Sequence, residues 1–309
     1  MTTPLSRREF LRLGAGATAL ACGLPGQNAP EASPAPARAR IPSSGVEITR
    51  VGLGTWQAFD VGGDAARRAQ LAEVLRVFTD GGGDVVDTSP MYGSAETVLG
   101  DLAAEARLRD RLFIATKVWT NGESAGVRQM EDSLRKLRTD RIELMQIHNL
   151  TDWRTHLKTL RAWKERGRFR HIGITHYVAS AYPEVARILR DEPLDFLQLN
   201  LSLDEPEAAE TMLTLCADRG VAFIANRPFG GGGAFGRTRD RPLPGWAREA
   251  GIGSWAQFLL KWVLSHPEVS CAIPGTSRPQ HMRDNLAAAA GPLPDAALRR
   301  RMAEHWRAL

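Results

Sequence analysis

The sequence predicts an α/β protein folded as a (β/α)8 TIM barrel, a closed barrel of eight parallel strands with helices outside. From residue 51 onward, eight short apolar segments typical of buried parallel strands alternate with longer helix-like segments. The chain has 309 residues, a length at which such a barrel often forms one domain. An open doubly wound sheet usually has a glycine-rich fingerprint after its first strand, and the glycines at 52 and 54 are not followed by that spacing. The closed barrel is therefore favoured over the open sheet.

The predicted strands are short, apolar and bounded by turn or helix signals. In chain order they are 51–55, 84–87, 112–118, 142–148, 171–175, 195–200, 221–225 and 269–274. The predicted helices are 66–80, 94–107, 124–138, 154–167, 180–190, 206–219, 253–265, 278–289 and 293–307. The helix at 253–265 has a broad apolar face, and Ser254 is a candidate N-cap. The segment 226–251 breaks the alternation with a glycine run, at the place where barrels often hold phosphate groups.

The composition is that of an ordinary globular protein, with 43% hydrophobic and 24% charged residues. The formal net charge is +5, but the arginines are scattered and no run of like charges or basic-aromatic stripe is present. Nucleic acid is therefore not an expected partner. The three cysteines, Cys22, Cys216 and Cys271, have neither disulfide-framework nor zinc-site spacing, so no metal site is expected from them.

The N-terminus resembles a bacterial twin-arginine (Tat) export signal. Residues 6–12 read Ser-Arg-Arg-Glu-Phe-Leu-Arg, and a modest apolar stretch over 13–25 follows, too short for a permanent membrane span. Cleavage is expected after Ala21 or Ala39, and Cys22 leaves a lipid anchor as an alternative. The resemblance implies a signal peptide and linker over 1–39, the Tat translocase as a partner, and a periplasmic location. An ordinary amphipathic helix is the other interpretation.

The Pro- and Ala-rich residues 26–44 indicate a linker, which places the barrel domain at 45–309. A twin-arginine substrate folds before export, so such a domain can leave the cytoplasm with a cofactor already bound.

Four ionisable residues accompany consecutive strand ends. Asp87, Lys117 and His148 each close a predicted strand, and Tyr92 lies on the loop after Asp87. Taken singly, each has a structural explanation as a cap, a surface charge or a hydrogen-bonded core residue. Because the carboxyl ends of barrel strands meet on one face, the four together predict an enzyme site.

Over residues 45–290 the sequence is similar to the aldo/keto reductase superfamily. The matching motifs are Gly-Leu-Gly-Thr-Trp (52–56), Asp-Val-Val-Asp-Thr-Ser-x-x-Tyr-Gly-x-x-Glu (84–96), Ala-Thr-Lys-Val-Trp (115–119), Gln-Ile-His (146–148), Gly-Ile-Thr (173–175), Leu-Gln-Leu-Asn (197–200) and Ile-Pro-Gly-Thr-Ser-Arg-Pro (273–279). Their joint order and spacing carry the resemblance. It implies an NADP-dependent oxidoreductase that reduces aldehydes or ketones to alcohols.

In that superfamily an Asp-Tyr-Lys-His tetrad reduces carbonyls with NADPH, and the matching residues are Asp87, Tyr92, Lys117 and His148. The resemblance implies that Tyr92 is the proton donor, although a phenol with a pKa of about 10 is a weak acid at neutral pH. We expect Lys117 to lower the pKa of Tyr92 and Asp87 to hold the Lys117 ammonium in place. We expect His148 to donate a hydrogen bond to the carbonyl oxygen and orient it.

The resemblance also implies an NADPH site. Gln198 matches a contact of the nicotinamide carboxamide, Asn285 matches an adenine contact, and Arg278 suits the 2′-phosphate that distinguishes NADPH from NADH. The loop at 275–278 opens the last barrel helix and can face a phosphate. The implied cofactor-binding residues are Thr55, Trp56, Asp87, Thr175, His176, Gln198, Asn226, Arg227, Phe229, Gly275, Thr276, Arg278 and Asn285.

Three of these residues depart from the superfamily pattern. His176 stands where asparagine is usual, Asn226 where a tyrosine commonly stacks on the nicotinamide, and Arg227 replaces a serine near the pyrophosphate. The substrate pocket implied by the resemblance is walled by Trp56, Trp119 and His148, with barrel-end packing as the alternative explanation for Trp119.

Two other functions fit parts of the pattern. Asn226 replaces the tyrosine that commonly stacks on the nicotinamide, and this change suits an NADPH-binding sensor or accessory subunit without significant turnover. Such a binder has no need of Tyr92, however. A metal-dependent barrel hydrolase using Asp87 and His148 lacks enough histidine and carboxylate ligands at strand ends.

Overall fold

The computed structural model describes residues 36–309, and it contains two sheets, the larger of which has helices between its strands. A two-stranded hairpin comprises β1 (Arg38–Arg40) and β2 (Glu47–Thr49). The eight-stranded sheet comprises β3 (Leu53–Gly54), β4 (Val85–Asp87), β5 (Phe113–Val118), β6 (Ile142–His148), β7 (Phe169–Thr175), β8 (Phe196–Asn200), β9 (Ala222–Asn226) and β10 (Val269–Ala272). The helices are α1 (Ala65–Asp80), α2 (Ala95–Glu105), α3 (Glu123–Lys136), α4 (Trp153–Glu165), α5 (Tyr182–Asp191), α6 (Glu207–Arg219), α7 (Ala234–Arg237), α8 (Gly245–Glu249), α9 (Trp255–Leu264), α10 (Pro279–Ala287) and α11 (Ala296–Arg307).

The eight strands pair in chain order from β3 to β10, and every ladder is parallel. Parallel bridges from Val51 to Ala272 and from Gly54 to Gly275 join the two ends of the sheet. A Cβ on Gly54 would lie 2.8 Å from the carbonyl oxygen of Ile273, so only glycine allows this close approach. The predicted (β/α)8 barrel is confirmed.

Alternation along the strands separates an inner core from an outer one. Phe113, Ala115 and Leu144 belong to the cluster inside the barrel, whereas Ile114 and Met145 belong to the larger cluster between strands and helices. Successive side chains of a strand point to opposite faces, so every second residue of each strand points into the barrel. The polar residues that continue this alternation at the strand ends therefore point into the mouth of the barrel.

The hairpin of β1 and β2 closes the other end of the barrel. Ile41 and Ile48 are fully buried in the inner cluster, next to residues at the strand starts such as Val85 and Phe113. The prediction of a linker through residue 44 is therefore wrong from residue 38 onward, because Ile41 fills the barrel floor and Arg38 pairs with Thr49 across the hairpin. Cleavage after Ala39 would cut through β1.

The helices begin and end within a few residues of their predicted bounds. The Ser254 hydroxyl accepts a hydrogen bond from the Gln257 amide at 3.0 Å, which confirms the predicted N-cap of α9. The irregular segment at 226–251 contains one 3-10 turn and the short helices α7 and α8. None of the helices in the described part of the chain combines the length and the hydropathy that crossing a bilayer requires. Arg7, Arg8, Ala21 and Cys22 lie outside the described residues.

Candidate active site

A cavity of about 710 Å³ opens at the carboxyl ends of the barrel strands. Asp87, Tyr92, Lys117 and His148 all line it. Asp87 and Lys117 are the last inward residues of β4 and β5, and His148 ends β6, so neighbouring strands deliver them to one place. The sequence prediction that these four residues meet is confirmed by their positions.

Asp87 and Lys117 form a buried ion pair. The Lys117 ammonium donates hydrogen bonds of 2.7 Å to a carboxylate oxygen of Asp87 and to the Thr88 carbonyl. Burial alone would lower the pKa of Lys117, but the Asp87 carboxylate and the Tyr92 hydroxyl together raise it. The ammonium therefore stays charged although only 1% of the residue surface is exposed.

Tyr92 lies beside this ammonium, with the Lys117 nitrogen 5.1 Å from the centre of the phenol ring. Burial raises the pKa of Tyr92, and the opposing effect of Lys117 is smaller. Lys117 lowers the pKa of Tyr92, as expected, but desolvation of the phenolate outweighs the cation, so the net pKa lies above its ordinary value. Tyr92 is a neutral phenol at physiological pH, the form that has a proton to give.

His148 is an uncharged imidazole. Burial, the nearby Lys117 ammonium and His176 lower the pKa of His148 to about 3. The ring lies edge-on to Tyr92, with their centroids 6.1 Å apart, and 6.2 Å from the Trp119 ring. Its Nδ1 is 3.1 Å from the Ser89 hydroxyl oxygen. A neutral imidazole carries one N–H, so His148 can donate one hydrogen bond without adding charge.

The lowered pKa of His148 predicts a loss of stability in mild acid. The unfolded chain takes up a proton on His148 near pH 6.5, whereas the folded protein does so only near pH 3. The stabilisation is therefore present above pH 6.5 and is lost as the pH falls from 6.5 towards 3. Between pH 7 and 5, wild type should lose about 2 kcal/mol more unfolding free energy than His148→Gln, as measured with urea. Equal losses of unfolding free energy in the two proteins would show that the pKa of His148 is not lowered by folding.

The opposite side of the cavity carries groups suited to a phosphorylated cofactor. Arg278 and His281 line it where the loop at 275–278 enters α10, so two basic side chains lie beside the partly positive start of that helix. Arg227 also lines the cavity, and its Nε lies 3.7 Å from Glu205. His281 was not predicted; its i+3 spacing from Arg278 on a predicted helix was the available signal.

Several buried polar atoms around the cavity lack hydrogen-bond partners among residues 36–309. They include the Thr55 hydroxyl, the Asn226 side-chain oxygen and the Arg227 Nε. Buried polar atoms are rarely left unpaired, so those of Thr55 and Asn226 mark places where a polar ligand fits, whereas the Arg227 Nε faces the Glu205 carboxylate. Nearby, the Gln146 amide donates to the Gln198 side-chain oxygen at 3.1 Å, which orients Gln198 at the cavity floor.

Most of the other predicted cofactor and substrate residues also reach the cavity. Those that line it are Thr55, Trp56, Asp87, Trp119, Thr175, Gln198, Asn226, Arg227, Phe229, Gly275, Thr276 and Arg278. Two predicted residues do not. The His176 Nδ1 accepts a hydrogen bond from the Val178 amide, and its ring stacks on Tyr177 instead. Asn285 is buried within α10 and does not line the cavity.

The mouth of the cavity is aromatic. Trp56 and Trp119 line it and are 48% and 43% exposed, so a large part of each indole is open to a ligand. The Gln129 side chain accepts from the Trp119 backbone amide at 2.6 Å and donates to the Trp119 carbonyl at 3.2 Å, so it holds the backbone from which the indole extends. Residues that line the cavity but were not predicted include Met91, Asn149, Tyr177 and Phe235. Met91, Asn149 and Tyr177 lie on loops, and Phe235 lies on the one-turn helix α7, so no periodic pattern marks the direction of these side chains.

Within residues 36–309 there is no group of three or more His, Cys, Asp or Glu side chains placed to hold a metal ion. The two cysteines in that range, Cys216 and Cys271, are buried free thiols.

Comparison with known proteins gives a consistent set of similarities. The sequence profile of the aldo/keto reductase family matches residues 50–304. Methylglyoxal reductase YeaE of Escherichia coli (strain K12) is 28% identical over 254 residues, which cover 79% of this chain and 87% of that protein. Aldo-keto reductase YhdN of Bacillus subtilis (strain 168) is 27% identical over 199 residues, 60% of this chain, and the match spans 59% of its own length.

Solved structures show the same similarity. An aldo-keto reductase from Klebsiella pneumoniae in complex with NADPH superimposes with a TM-score of 0.74 at 26% identity, covering 88% of this chain and 95% of that one. An aldo/keto reductase from the same organism, in complex with NADP and acetate, gives a TM-score of 0.72 at 25% identity, with coverage of 85% and 93%.

Proposed function

The chain belongs to the aldo/keto reductase family, and from this premise we propose that it reduces aldehydes or ketones to alcohols with NADPH, with Tyr92 as the proton donor. One observation carries the proposal: a neutral Tyr92, a charged Lys117 and a neutral His148 line one cavity together with Asp87. A phenol, a cation and an uncharged hydrogen-bond donor are the groups that a developing alkoxide requires.

NADPH is the cofactor that fits the rest of the cavity. Arg278 and His281 suit the 2′-phosphate, Arg227 suits the pyrophosphate, and Gln198 and Asn226 suit the nicotinamide carboxamide. The unpaired polar atoms of Thr55 and Asn226 support this placement. When bound, the cofactor supplies the hydride that adds to the carbonyl carbon. Asn226 cannot stack as a tyrosine does, so it would contact the nicotinamide through its amide.

The protein's own residues then handle the oxygen and the proton. His148 donates a hydrogen bond to the carbonyl oxygen and holds it towards Tyr92. As the carbonyl bond's electron pair moves onto that oxygen, Tyr92 transfers its proton to it, because an alkoxide is a far stronger base than a phenolate. Lys117 stabilises the resulting phenolate, and Asp87 keeps Lys117 charged and in place.

Steady-state turnover tests the proposal. NADPH binding is followed by fluorescence, and NADPH oxidation by absorbance, with a panel of aldehydes, ketones and quinones. Methylglyoxal belongs in the panel because a relative is named for its reduction. We expect turnover with at least one carbonyl. Tight NADPH binding with no oxidation across the whole panel would instead favour a sensor or accessory subunit.

Replacing Arg278 by alanine should weaken NADPH binding by about 10- to 100-fold, the range for a lost hydrogen bond between charged groups. NADH binding should change little, because NADH lacks the 2′-phosphate. Arg283→Ala is the matched control, since Arg283 is exposed on the same helix and faces Glu73 at 3.7 Å instead of the cavity. Equal losses for NADPH and NADH in Arg278→Ala would count against a 2′-phosphate contact.

We also propose that the protein is exported by the Tat translocase, on the basis of Arg7-Arg8 and the apolar residues behind them. Changing Arg7-Arg8 to Lys-Lys preserves the charge but removes the twin-arginine pattern. The variant should accumulate in the cytoplasm while wild type reaches the periplasm, as measured by cell fractionation. Unchanged export of the Lys-Lys variant would refute the signal.

A further inference from the structure

Ser89 lies next to His148, and it is neither a member of the tetrad nor one of the proposed cofactor contacts. The residue is fully buried, and its hydroxyl oxygen is 3.1 Å from the Nδ1 of His148. It belongs to the short segment that also supplies Asp87, the Thr88 carbonyl that accepts from Lys117, and Tyr92. The Tyr92 amide donates to the Ser89 carbonyl at 3.0 Å, so a single turn sets both the serine and the tyrosine.

The direction of the bond between Ser89 and His148 follows from the other contacts of the serine. The Met91 amide donates to the Ser89 hydroxyl oxygen at 3.4 Å, which uses one of its lone pairs. Among residues 36–309, the His148 Nδ1 is the only acceptor that the Ser89 hydroxyl contacts. If Nδ1 donated instead, the hydroxyl hydrogen of Ser89 would have no acceptor. A buried donor without an acceptor is costly, so Ser89 donates and Nδ1 accepts.

This direction decides which nitrogen of His148 carries the proton. The neutral imidazole has one N–H, and the nitrogen that accepts a hydrogen bond is the one without it. The proton therefore resides on Nε2, the nitrogen left for the cavity that His148 lines. With the opposite tautomer, Nε2 would present a lone pair to a carbonyl oxygen and repel it.

We propose that Ser89 is a positioning residue that holds His148 as the Nε2–H tautomer, so that the imidazole can donate to the substrate carbonyl oxygen. The inference rests on the proposed carbonyl reduction for its effect on rate, but not for its effect on the tautomer. Ser89 acts through His148 and does not touch the substrate.

Two independent measurements test the proposal at pH 7. The first is ¹⁵N NMR of the folded protein labelled at histidine nitrogens, with His148→Gln used to assign the His148 signals. In wild type, Nδ1 of His148 should give the signal of an unprotonated nitrogen and Nε2 that of a protonated one. In Ser89→Ala, both signals should shift towards values for a mixture of tautomers. A protonated Nδ1 in wild type would overturn the proposal whether or not the protein reduces carbonyls.

The second measurement is the turnover number for a carbonyl that wild type reduces. Ser89→Ala should lower kcat about fivefold, the size expected for one lost neutral hydrogen bond, while the Kd for NADPH is unchanged. Ser89→Thr keeps the hydroxyl and should recover most of the rate. In a His148→Gln background, Ser89→Ala should have no further effect, because there is no imidazole left to hold.

The control for loss of a buried hydroxyl is Ser270→Ala. Ser270 lies near the start of β10 and accepts from the Phe223 amide at 3.2 Å, away from the cavity. Its kcat should equal that of wild type. A loss from Ser89→Ala that is equally large with and without His148 would mean that the serine supports the loop alone, and it would overturn the positioning role.

Discussion

Tyr92→Phe should abolish most carbonyl reduction, lowering kcat by about 100- to 10,000-fold, while NADPH binds with nearly unchanged affinity. The variant removes one oxygen and keeps the ring that lies 5.1 Å from the Lys117 nitrogen and edge-on to His148. The alkoxide then has no phenol to take a proton from, but the cofactor contacts remain. The measurement combines NADPH fluorescence titration with the rate of NADPH oxidation.

Tyr182→Phe is the matched control for this experiment. Tyr182 begins α5, is buried in the outer core and does not line the cavity, so the same chemical change there should leave kcat intact. If Tyr92→Phe turned over as fast as Tyr182→Phe, another group would have to be the proton donor. Loss of NADPH binding in Tyr92→Phe would place the tyrosine in the cofactor site instead.

Asp87→Asn should have the largest effect on stability, about 3–5 kcal/mol, because it leaves a buried ammonium without its counter-charge. The Thr88 carbonyl still accepts one hydrogen bond from Lys117, but no negative charge remains to offset burial. The double variant Asp87→Asn with Lys117→Met should recover much of the loss, since it removes the unpaired charge as well. Both variants should lack activity. Urea unfolding at pH 7 measures the difference.

The control is Asp80→Asn, which breaks the exposed ion pairs of Asp80 with Arg76 and Arg111. Such surface pairs contribute at most about 1 kcal/mol, so its stability should hardly change. A loss for Asp87→Asn no greater than this one would show that the Lys117 ammonium does not depend on Asp87, and Lys117 would then be a weak partner for Tyr92.

The barrel and its central site were predictable because one periodicity encodes both. The alternation that buries Phe113 and Ala115 inside the barrel also sends Lys117 to its mouth, and Leu144 leads in the same way to His148. Short apolar segments at regular intervals are enough to place these residues, since parallel strands align their carboxyl ends.

Features that depend on contacts distant in sequence could not be predicted from local pattern. Residues 38–44 look like a linker by composition. Ile41 is nevertheless fully buried, because it packs on the inner core at the end of the barrel opposite the cavity. Asn285 and His176, which the resemblance implies as cofactor contacts, do not line the cavity, and their roles stay predictions. The pKa of Tyr92 depends on how far the phenol is desolvated, which the motif around it does not specify.

Transfer of deuterium from cofactor to product tests the central claim most directly. The folded protein is mixed with NADPH deuterated at both C4 positions of the nicotinamide and with a carbonyl that it consumes, and the product is identified by NMR and mass spectrometry. We predict an alcohol with one deuterium on the former carbonyl carbon and a hydroxyl proton drawn from solvent. Cofactor oxidation that yields no deuterated alcohol would contradict hydride transfer at this site.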